Sequence, residues 1–315
     1  MRHLFITDPL ERLDVEKDTT VAFMREAARR GQEVFSAEVP QLSVGPAGPH
    51  VRAVPIELRP GRPWYSEGAP LEMPLGRFDV VWMRKDPPYD LAYFYATHLL
   101  ELAPPDTLVV NDPRGLREVP EKLFVLRFPE ICPETLVSRR IEELLEFREK
   151  LGGEMVLKPL DAAGGEGVFH LTPDDRNARV ILETATAHGR IYQLGQRYVP
   201  EIRDGDKRII VLEGEPIGAV LRVPVPGETR ANFHAGGTAR KVEVDARDRE
   251  ICARIRPALL ERGVLFAGID VIGGWLTEVN VTSPTGIREI NELDGTALER
   301  LMLDAVERCC RERRA

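Results

Sequence analysis

The order of apolar and polar positions in the first part of the chain predicts an open, parallel α/β sheet. Residues 2–7 and 34–39 are short apolar runs typical of buried strands. Between them, residues 17–30 carry apolar side chains at helical spacing, and Gly31 is the expected end of that helix. A strand, a helix and a strand in this order indicate parallel pairing. The same kind of pattern predicts further elements at residues 78–84, 89–102 and 107–110, whereas residues 40–77 are rich in Pro and Gly and give no clear pattern.

The pattern changes after a predicted loop at residues 111–120, and we place a domain boundary between residues 1–121 and 122–315. Pro257 lies inside one predicted helix, where a kink or a break is expected. Residues 224–241 form a long Pro- and Gly-containing connection of the kind that often serves as an active-site lid. The second part is predicted to hold strands at 134–138, 154–160 and 192–199, a hairpin at 205–224, and helices at 120–124, 141–150, 174–188, 246–262 and 294–313.

Residues 265–289 combine two apolar strands with polar side chains suited to a cation, followed by a predicted polar loop. Glu278 and Asn280 are two residues apart on the second strand, so they point to one face. Carboxylate and amide oxygens are the ligands that Mg²⁺ prefers. An edge hairpin with a solvated polar face is the alternative. The apolar neighbours of Glu278 instead favour a buried hairpin, in which a carboxylate needs a partner charge or a metal.

Asp270 is the third candidate metal ligand, and its position depends on the register of this hairpin. A two-residue loop at Gly273 and Gly274 would put Asp270 on the face opposite Glu278. A three-residue loop pairs Ile272 with Leu276 and sets Asp270 directly across from Glu278. We predict the three-residue loop, for which the sequence supplies the glycine that such turns need.

A second informative stretch places a lysine before a glycine-rich loop. Lys158 lies in an apolar strand, where a buried lysine needs an anionic partner. Gly164, Gly165 and Gly167 follow it and let backbone N–H groups approach phosphate oxygens. No G-K-[ST] follows these glycines, so the loop is not of the Walker type. A plain hairpin loop is the alternative, but the preceding lysine favours a phosphate site.

Arginines near strand ends indicate anion binding. Arg84 ends a predicted strand, at the edge where open α/β sheets face ligand crevices, and its guanidinium suits a substrate carboxylate. On sequence alone, a surface salt bridge to Asp86 or Asp90 is the favoured alternative. Arg208 and Arg222 cluster near the ends of the predicted hairpin and suggest a second anion site.

Composition narrows the class of protein without identifying it. The chain has 315 residues, 43% hydrophobic and 30% charged, a balance typical of soluble globular proteins. A net charge of −8 argues against nucleic acid as the main partner, and no apolar run is long enough for a membrane span. Its four cysteines lack C-x-x-C spacing, which disfavours structural zinc and agrees with a reduced, cytoplasmic location.

In chain order, these features resemble the ATP-grasp superfamily and, within it, the bacterial glutathione synthetases. The resemblance runs through about residues 2–308. It is carried by MRKDPP (83–88), PEKLF (120–124), PETLV (133–137), LKPLD (157–161), DGDKR (204–208), GETR (227–230), AGG (235–237) and, most specifically, LTEVNVTSPTGIREI (276–290). It implies an ATP-grasp fold preceded by an open parallel α/β domain.

The resemblance also implies a role for each candidate residue. Lys122 and Lys158 would hold ATP phosphates beneath the glycine loop. The adenine would be lined by Gln196, Arg197, Tyr198 and Val199. Mg²⁺ or Mn²⁺ would be held by Asp270, Glu278 and Asn280. Arg208 and Arg222 would be the catalytic cations, with Arg84, Arg230, Asn232, Ser283, Thr285 and Arg288 toward the peptide and glycine.

The implied reaction joins γ-glutamylcysteine to glycine with ATP, through an acyl phosphate, in a cytoplasmic homo-oligomer (tetramer or dimer). Another ATP-grasp carboxylate–amine ligase is one alternative, and the MRKDPP and TSPTGIRE strings on the substrate side argue against it. A non-catalytic nucleotide-binding regulator is the other. The intact metal-ligand candidates and both lysines argue against that alternative.

Overall fold

The computed structural model describes residues 1–162, 164–225, 230–233 and 236–314. The N-terminal part is a sheet covered by helices. Its elements are β1 (Arg2–Ile6), α1 (Thr19–Arg29), β2 (Glu33–Ala37), β3 (Leu42–Gly45), β4 (Gly48–Leu58), β5 (Tyr65–Glu67), β6 (Leu71–Pro74), β7 (Val80–Met83), α2 (Leu91–Glu101), β8 (Leu108–Val110) and α3 (Pro113–Glu118).

The N-terminal sheet is mixed rather than wholly parallel. Strands β2, β1, β7 and β8 pair in parallel, as predicted. Residues 40–77, which gave no clear pattern, add the antiparallel strands β3 to β6 around β4. β4 also pairs antiparallel with β2, because the segment between them is too short for the crossover that a parallel neighbour requires.

The predicted loop at residues 111–120 contains a short helix, α3, so that prediction was wrong. Asp112 caps the helix by accepting a hydrogen bond from the Arg114 N–H at 2.8 Å, and Pro113 occupies its first position. Asp followed by Pro is a recognised helix start, and the sequence carried this signal. The adjacent Asn111 is buried and bonds to Phe266 N–H and C=O at 2.9 and 2.7 Å, which fixes the N-terminal sheet against the second half.

The second half contains two antiparallel sheets. The first has the order β11-β10-β12-β9 and the second β15-β14-β13-β16-β17. The elements are β9 (Thr135–Ser138), α4 (Ile141–Lys150), β10 (Met155–Pro159), β11 (Phe169–Leu171), α5 (Ala178–Ala185), β12 (Gln193–Arg197), β13 (Asp206–Leu212), β14 (Glu215–Val223), β15 (Thr238–Lys241), α6 (Ala246–Glu261), β16 (Phe266–Ile272), β17 (Trp275–Asn280), α7 (Ile287–Asp294) and α8 (Leu298–Arg314).

Three helix predictions in this half need correction. Residues 121–123 form a turn before a 3₁₀ segment, Phe124–Arg127, so Lys122 does not lie on an α-helix. α6 continues through Pro257 without a break, since Pro257 lies on the exposed side, where water can satisfy the freed carbonyl. The predicted polar loop after β17 contains α7, whose apolar face is buried, and Gly295 at φ 67° separates α7 from α8.

None of the helices within the described ranges is long and apolar enough to span a bilayer. The predicted lid lies partly outside these ranges, because residues 226–229 and 234–235 are not described. The same is true of Ala163 in the glycine loop. The last four residues of the predicted lid form strand β15 (Thr238–Lys241), so the prediction of a loop was wrong there.

Candidate active site

The β16–β17 hairpin sets Asp270 opposite Glu278, as predicted, but by a different route. Its turn has two residues, Gly273 and Gly274, at φ 55° and 79°, and Ile272 pairs with Trp275. The three-residue loop was therefore wrong. A bulge opposite the step from Asp270 to Val271 leaves Thr277 as an extra residue on β17, and this restores the register. Glycines with positive φ at both central positions suit a tight two-residue turn, which explains the outcome.

Asp270 is the centre of a buried charge network. Its carboxylate accepts from Arg208 Nε at 2.5 Å and Arg208 Nη2 at 3.0 Å, and Arg222 Nη2 lies 3.0 Å away. Asn280 Nδ2 approaches the same carboxylate at 3.3 Å. Burial opposes ionisation of Asp270, but the two guanidiniums outweigh it and lower its pKa to about 2. Asp270 is therefore a carboxylate at any physiological pH.

Asp206 is a second buried carboxylate in this network, and it is not among the residues predicted from the sequence. It accepts a hydrogen bond from Arg222 Nη2. Burial raises the pKa of Asp206 to about 6, because Arg222 offsets burial only in part and Asp270 adds a second negative charge. For Arg222, burial disfavours the cation, but the two carboxylates outweigh it and raise its pKa. Arg222 is thus held charged and oriented between two acids.

One cleft beside this network is lined by lysines, and we call it the lysine cleft. The empty space within it, including solvent space at its open mouth, is about 860 Å³. Lys158 Nζ donates to Gln196 Oε1 at 3.1 Å and lies 3.7 Å from Glu278 Oε1. Lys122 Nζ donates to the Ala162 carbonyl at the start of the glycine loop. The ammonium groups of two lysines thus face the candidate metal ligands. This arrangement is suited to binding a polyphosphate.

The far side of the lysine cleft is flat and mostly apolar. Tyr198 stacks on His170 with ring centroids 4.0 Å apart, and Ile202 and Val199 lie alongside. Tyr198 follows the end of β12, so backbone groups of this strand border the cleft. His170 was not predicted as a site residue, because its place in the cleft depends on the pairing of β11 with β10. An aromatic ring and apolar contacts suit a planar base.

The second cleft, which we call the arginine cleft, has an empty volume of about 1510 Å³. It is lined by Arg208, Arg222 and Asn280 and by the four residues 282–285, the wall loop. Ala162, Gly164, Glu166 and Asn232 line both clefts and so connect them. The charge network of Asp270 therefore lies at the junction of the two clefts.

Each of the four residues of the wall loop is bonded to a charged side chain from another part of the chain. Thr282 Oγ1 donates to Glu121 Oε1 at 2.7 Å, and Ser283 bonds to Asp86. The Pro284 carbonyl accepts from Arg84 Nη2 at 3.1 Å, and the Thr285 carbonyl from Arg208 Nη1 at 3.2 Å. The wall loop is thereby fixed from both domains, and Arg208 is positioned together with it.

Arg84 lies beneath the wall loop rather than in the lining of either cleft. It is buried, donates to Thr20 Oγ1 at 3.1 Å, and lies between the rings of Phe23 and Phe266. It is not a surface residue, and within the described residues no salt bridge joins it to Asp86 or Asp90, so that alternative was wrong. Burial lowers its pKa.

The remaining predicted residues divide into two groups. Asn232, Ser283 and Thr285 line the arginine cleft, and Arg230 lines the lysine cleft, where it donates to the Gly165 carbonyl at 3.3 Å. Arg288 lines neither cleft and instead donates to the Glu16 carbonyl at 3.0 Å.

Of three further predicted residues, Gly165 and Arg197 border the lysine cleft and Gly167 does not. Gly167 lies beside Pro159 rather than in the lining of either cleft. Gly165 has φ +83°, and an added Cβ would come within 3.0 Å of Arg230 and Asn232, so this position requires glycine. Arg197 borders the lysine cleft but pairs with Glu134.

The donor set at the hairpin fits a hard divalent cation. Asp270 and Glu278 are cross-strand partners, Asn280 is the next residue on the same face, and all three offer oxygen. In the described part of the chain no group of three or more His, Cys, Asp or Glu side chains forms a metal site, so the amide of Asn280 is needed to complete this one. The set excludes a soft-metal site, since it has neither thiolate nor imidazole.

The fold is that of the ATP-grasp proteins. Solved structures with the same fold include a RimK domain ATP-grasp protein from Sphaerobacter thermophilus, with a TM-score of 0.63 at 19% identity over 97% of this chain and 99% of that one. Another is the D-cycloserine synthetase DcsG, with a TM-score of 0.68 at 14% identity over 97% and 99% of the two chains. At these identities the likeness shows the fold alone.

Sequence comparison is more specific. Residues 1–117 match the N-terminal domain of prokaryotic glutathione synthetase, and residues 121–295 match its ATP-grasp domain. The glutathione synthetase of Gloeobacter violaceus is 48% identical, over 96% of each chain. That of Brucella melitensis is 46% identical, over 95% of this chain and 96% of that one. The chain belongs to the prokaryotic glutathione synthetase family and is an ATP-dependent ligase.

Proposed function

We propose that this chain joins γ-glutamylcysteine to glycine in two steps, with ATP activating the cysteinyl carboxylate as an acyl phosphate. The observation that carries the proposal is the position of Arg208 and Arg222, held by Asp270 where the lysine cleft meets the arginine cleft. In this arrangement ATP occupies the lysine cleft and the peptide and glycine occupy the arginine cleft. Family membership supports this choice of substrates.

Lys122 and Lys158 bind the phosphates of ATP, and Tyr198 and His170 contact the adenine side. The glycine loop covers the phosphates, and Gly165 allows this loop to pack closely against Arg230 and Asn232. Mg²⁺, or Mn²⁺, would be held by Asp270, Glu278 and Asn280. When bound, the metal supplies positive charge that neutralises the phosphate oxygens during transfer.

In the first step an oxygen of the cysteinyl carboxylate attacks the γ-phosphorus, the bond to the bridging oxygen breaks, and ADP leaves. Catalysis of this step requires alignment and charge stabilisation more than an acid–base pair. Arg208 and Arg222 provide that stabilisation, and Asp206 and Asp270 hold Arg222 in its charged form. Both guanidiniums are preorganised, because their carboxylate partners already fix their orientation.

In the second step the uncharged amine of glycine attacks the acyl carbon, a tetrahedral intermediate forms, and phosphate leaves with the proton that the amine nitrogen loses. The same arginines face the oxygen that becomes negative. An acyl phosphate hydrolyses if water reaches it, so the predicted lid at residues 224–241 would close over the clefts during this step. We further propose a cytoplasmic homo-oligomer, a dimer or a tetramer, which light scattering of the purified protein tests directly.

The test is phosphate release from ATP and Mg²⁺ with γ-glutamylcysteine, with and without glycine, and mass spectrometry of the product. We expect sustained release only when both acceptor substrates are present, together with glutathione. Release that depends on a different amine, and no glutathione, would contradict the proposed substrates while leaving the ligase class intact.

A further inference from the structure

Glu121 lines the arginine cleft but is neither a proposed metal ligand nor one of the residues proposed to bind ATP. Its carboxylate is partly buried and lines this cleft together with an adjoining cavity of about 720 Å³. Oε1 accepts from Thr282 Oγ1 at 2.7 Å, and the Glu121 carbonyl accepts from Val279 N–H at 3.0 Å. The residue is therefore fixed on two sides, on the wall loop and on the strand that carries Glu278 and Asn280.

Among the described residues no lysine or arginine forms a salt bridge with Glu121, although Lys122 lies near enough to favour its charged form. Its neighbour Lys122 donates instead to the Ala162 carbonyl. In the part of the chain that the structure describes, only Thr282 donates hydrogen bonds to the Glu121 side chain. Burial raises the pKa of Glu121, and the bonds from Thr282 offset burial only in part. A carboxylate whose burial is only partly compensated by its neighbours favours a cationic ligand in the space that it faces.

Other carboxylates of the arginine cleft are less suited to that task. Asp161 and Glu166 are exposed on the glycine loop, where water satisfies them. Asp86 is also exposed and is bonded to Ser283. Glu121 alone of these four is partly buried and fixed to the metal-ligand strand.

We propose that Glu121 is the subsite for the ammonium group of the amine acceptor, glycine. The inference rests on the proposed function, since it assumes that the acceptor is an amino acid. Both substrates of the arginine cleft carry an ammonium group, but only in glycine is it the reacting group. In γ-glutamylcysteine the ammonium lies at the opposite end of the molecule from the carboxylate that is activated. The hydrogen bond from Val279 N–H to the Glu121 carbonyl holds Glu121 beside the strand that carries Glu278 and Asn280, and so at the reacting end.

Glycine and hydroxylamine separate the two halves of the reaction. Hydroxylamine is mostly uncharged near neutral pH, so it captures the acyl phosphate as a hydroxamate without needing an ammonium subsite. The variant Glu121→Gln keeps an oxygen that accepts from Thr282 but removes the charge. We expect its KM for glycine to rise about 10- to 100-fold, the effect of one charged hydrogen bond. Hydroxamate formation and the KM for ATP are expected to stay unchanged.

The matched control is Glu118→Gln, three residues earlier on α3, exposed and outside both clefts. It should leave the KM values for glycine and ATP as in the wild type. Glu121→Asp keeps the negative charge, and its KM for glycine should rise less than that of Glu121→Gln. Thermal melting of each variant checks folding, and the Asp variant carries the comparison if the Gln variant does not fold.

Two results would overturn the assignment. An unchanged KM for glycine in Glu121→Gln, or in Glu121→Asp if only that variant folds, removes the ammonium subsite. Equal losses of glycine ligation and hydroxamate formation place Glu121 in the activation step instead. Failure of the proposed function is distinct from both, because the wild type would then form neither glutathione nor hydroxamate with γ-glutamylcysteine.

Discussion

The lysine cleft and the arginine cleft share a junction but are built in different ways. The lysine cleft is formed by one half of the chain, between the sheet that contains β10, β11 and β12 and the sheet that contains β13, β16 and β17. The arginine cleft draws on both halves, since Asp86 comes from the N-terminal domain and Arg208 from β13. Its wall loop is bonded by charged side chains from three separate segments.

This difference separates what nearby sequence determines from what tertiary assembly determines. A strand lysine and a glycine loop are adjacent in sequence, so local pattern predicts their chemistry. The arginine cleft exists only after the N-terminal sheet has packed against the β13–β17 sheet. Substitutions of the proposed metal ligands should therefore impair both ATP binding and ligation, and substitutions of residues that line one cleft should impair only the step that this cleft serves.

The largest effect is expected at the junction, from Glu278→Gln. The change removes one negative charge from the proposed metal site and from the neighbourhood of Lys158. Loss of residues that only support metal ligands costs about 10- to 100-fold, so we expect a ligand substitution to lower turnover by more than about 100-fold. The measurement is turnover against Mg²⁺ concentration, with the exposed Glu292→Gln as control. Turnover close to that of the wild type at low Mg²⁺ would remove Glu278 from the metal site.

Arg222→Ala is the next largest, and it tests whether the arginines act on the chemical step. We expect ligation to fall about 100- to 1000-fold, as for other preorganised transition-state contacts, with a much smaller change in ATP affinity. Removing Arg222 also leaves Asp206 and Asp270 with fewer cationic partners, so melting must be measured alongside. Arg222→Lys, which keeps the charge, serves as the control for folding. Equal losses of ligation and of ATP binding would move Arg222 into the lysine cleft.

Arg84→Met is expected to affect the arginine cleft alone. It removes the donor that holds the Pro284 carbonyl and should loosen the wall loop without touching the lysine cleft. Loss of one charged hydrogen bond costs about 1.5–3 kcal/mol, so the KM for γ-glutamylcysteine or glycine should rise about tenfold or more. Nucleotide binding, measured by calorimetry, should not change. If it weakens to the same extent, the two clefts are not separable in this way.

The smallest effect is expected from His170→Ala, which affects the lysine cleft alone. Stacking of an aromatic pair is worth about 0.5–1.5 kcal/mol, so ATP affinity should fall by no more than about tenfold. The turnover at saturating ATP and the KM for glycine should be unaffected. Phe169→Ala, at the exposed neighbouring position outside both clefts, is the matched control. A loss of turnover at saturating ATP would show that the stack does more than bind the nucleotide.

The sequence predicted the chemistry of the hairpin better than its backbone. Asp270 opposite Glu278 followed from the requirement that both carboxylates share a face, and this pairing is present. The turn was wrong, because the alternation of side chains cannot reveal a bulge that adds one residue to a strand. The same limit applies to residues 40–77, whose strands are recognisable only through their pairing with β4.

Side chains whose role depends on distant partners escaped prediction. No sequence pattern distinguished Asp206 from other acidic residues of the predicted hairpin. Only the packing of β13 beside β14 and β16 buries it against Arg222. Glu121 was visible in the PEKLF string, but its contact with Thr282 spans 161 positions of the chain. The resemblance placed Arg84 toward the substrates, and its position beneath the wall loop, outside the lining of either cleft, depends on the docking of two domains.

We propose that phosphoryl transfer from the lysine cleft forms the acyl phosphate that glycine attacks in the arginine cleft. An isotope label in the peptide follows the oxygen atom that this transfer moves. The cysteinyl carboxylate of γ-glutamylcysteine is labelled with ¹⁸O and the complete reaction is run with ATP, Mg²⁺ and glycine. We predict that each phosphate released carries one ¹⁸O from the peptide, because the carboxylate oxygen that attacked phosphorus leaves with it. Phosphate without label, formed together with glutathione, would contradict activation by phosphoryl transfer and with it the roles given to Arg208 and Arg222.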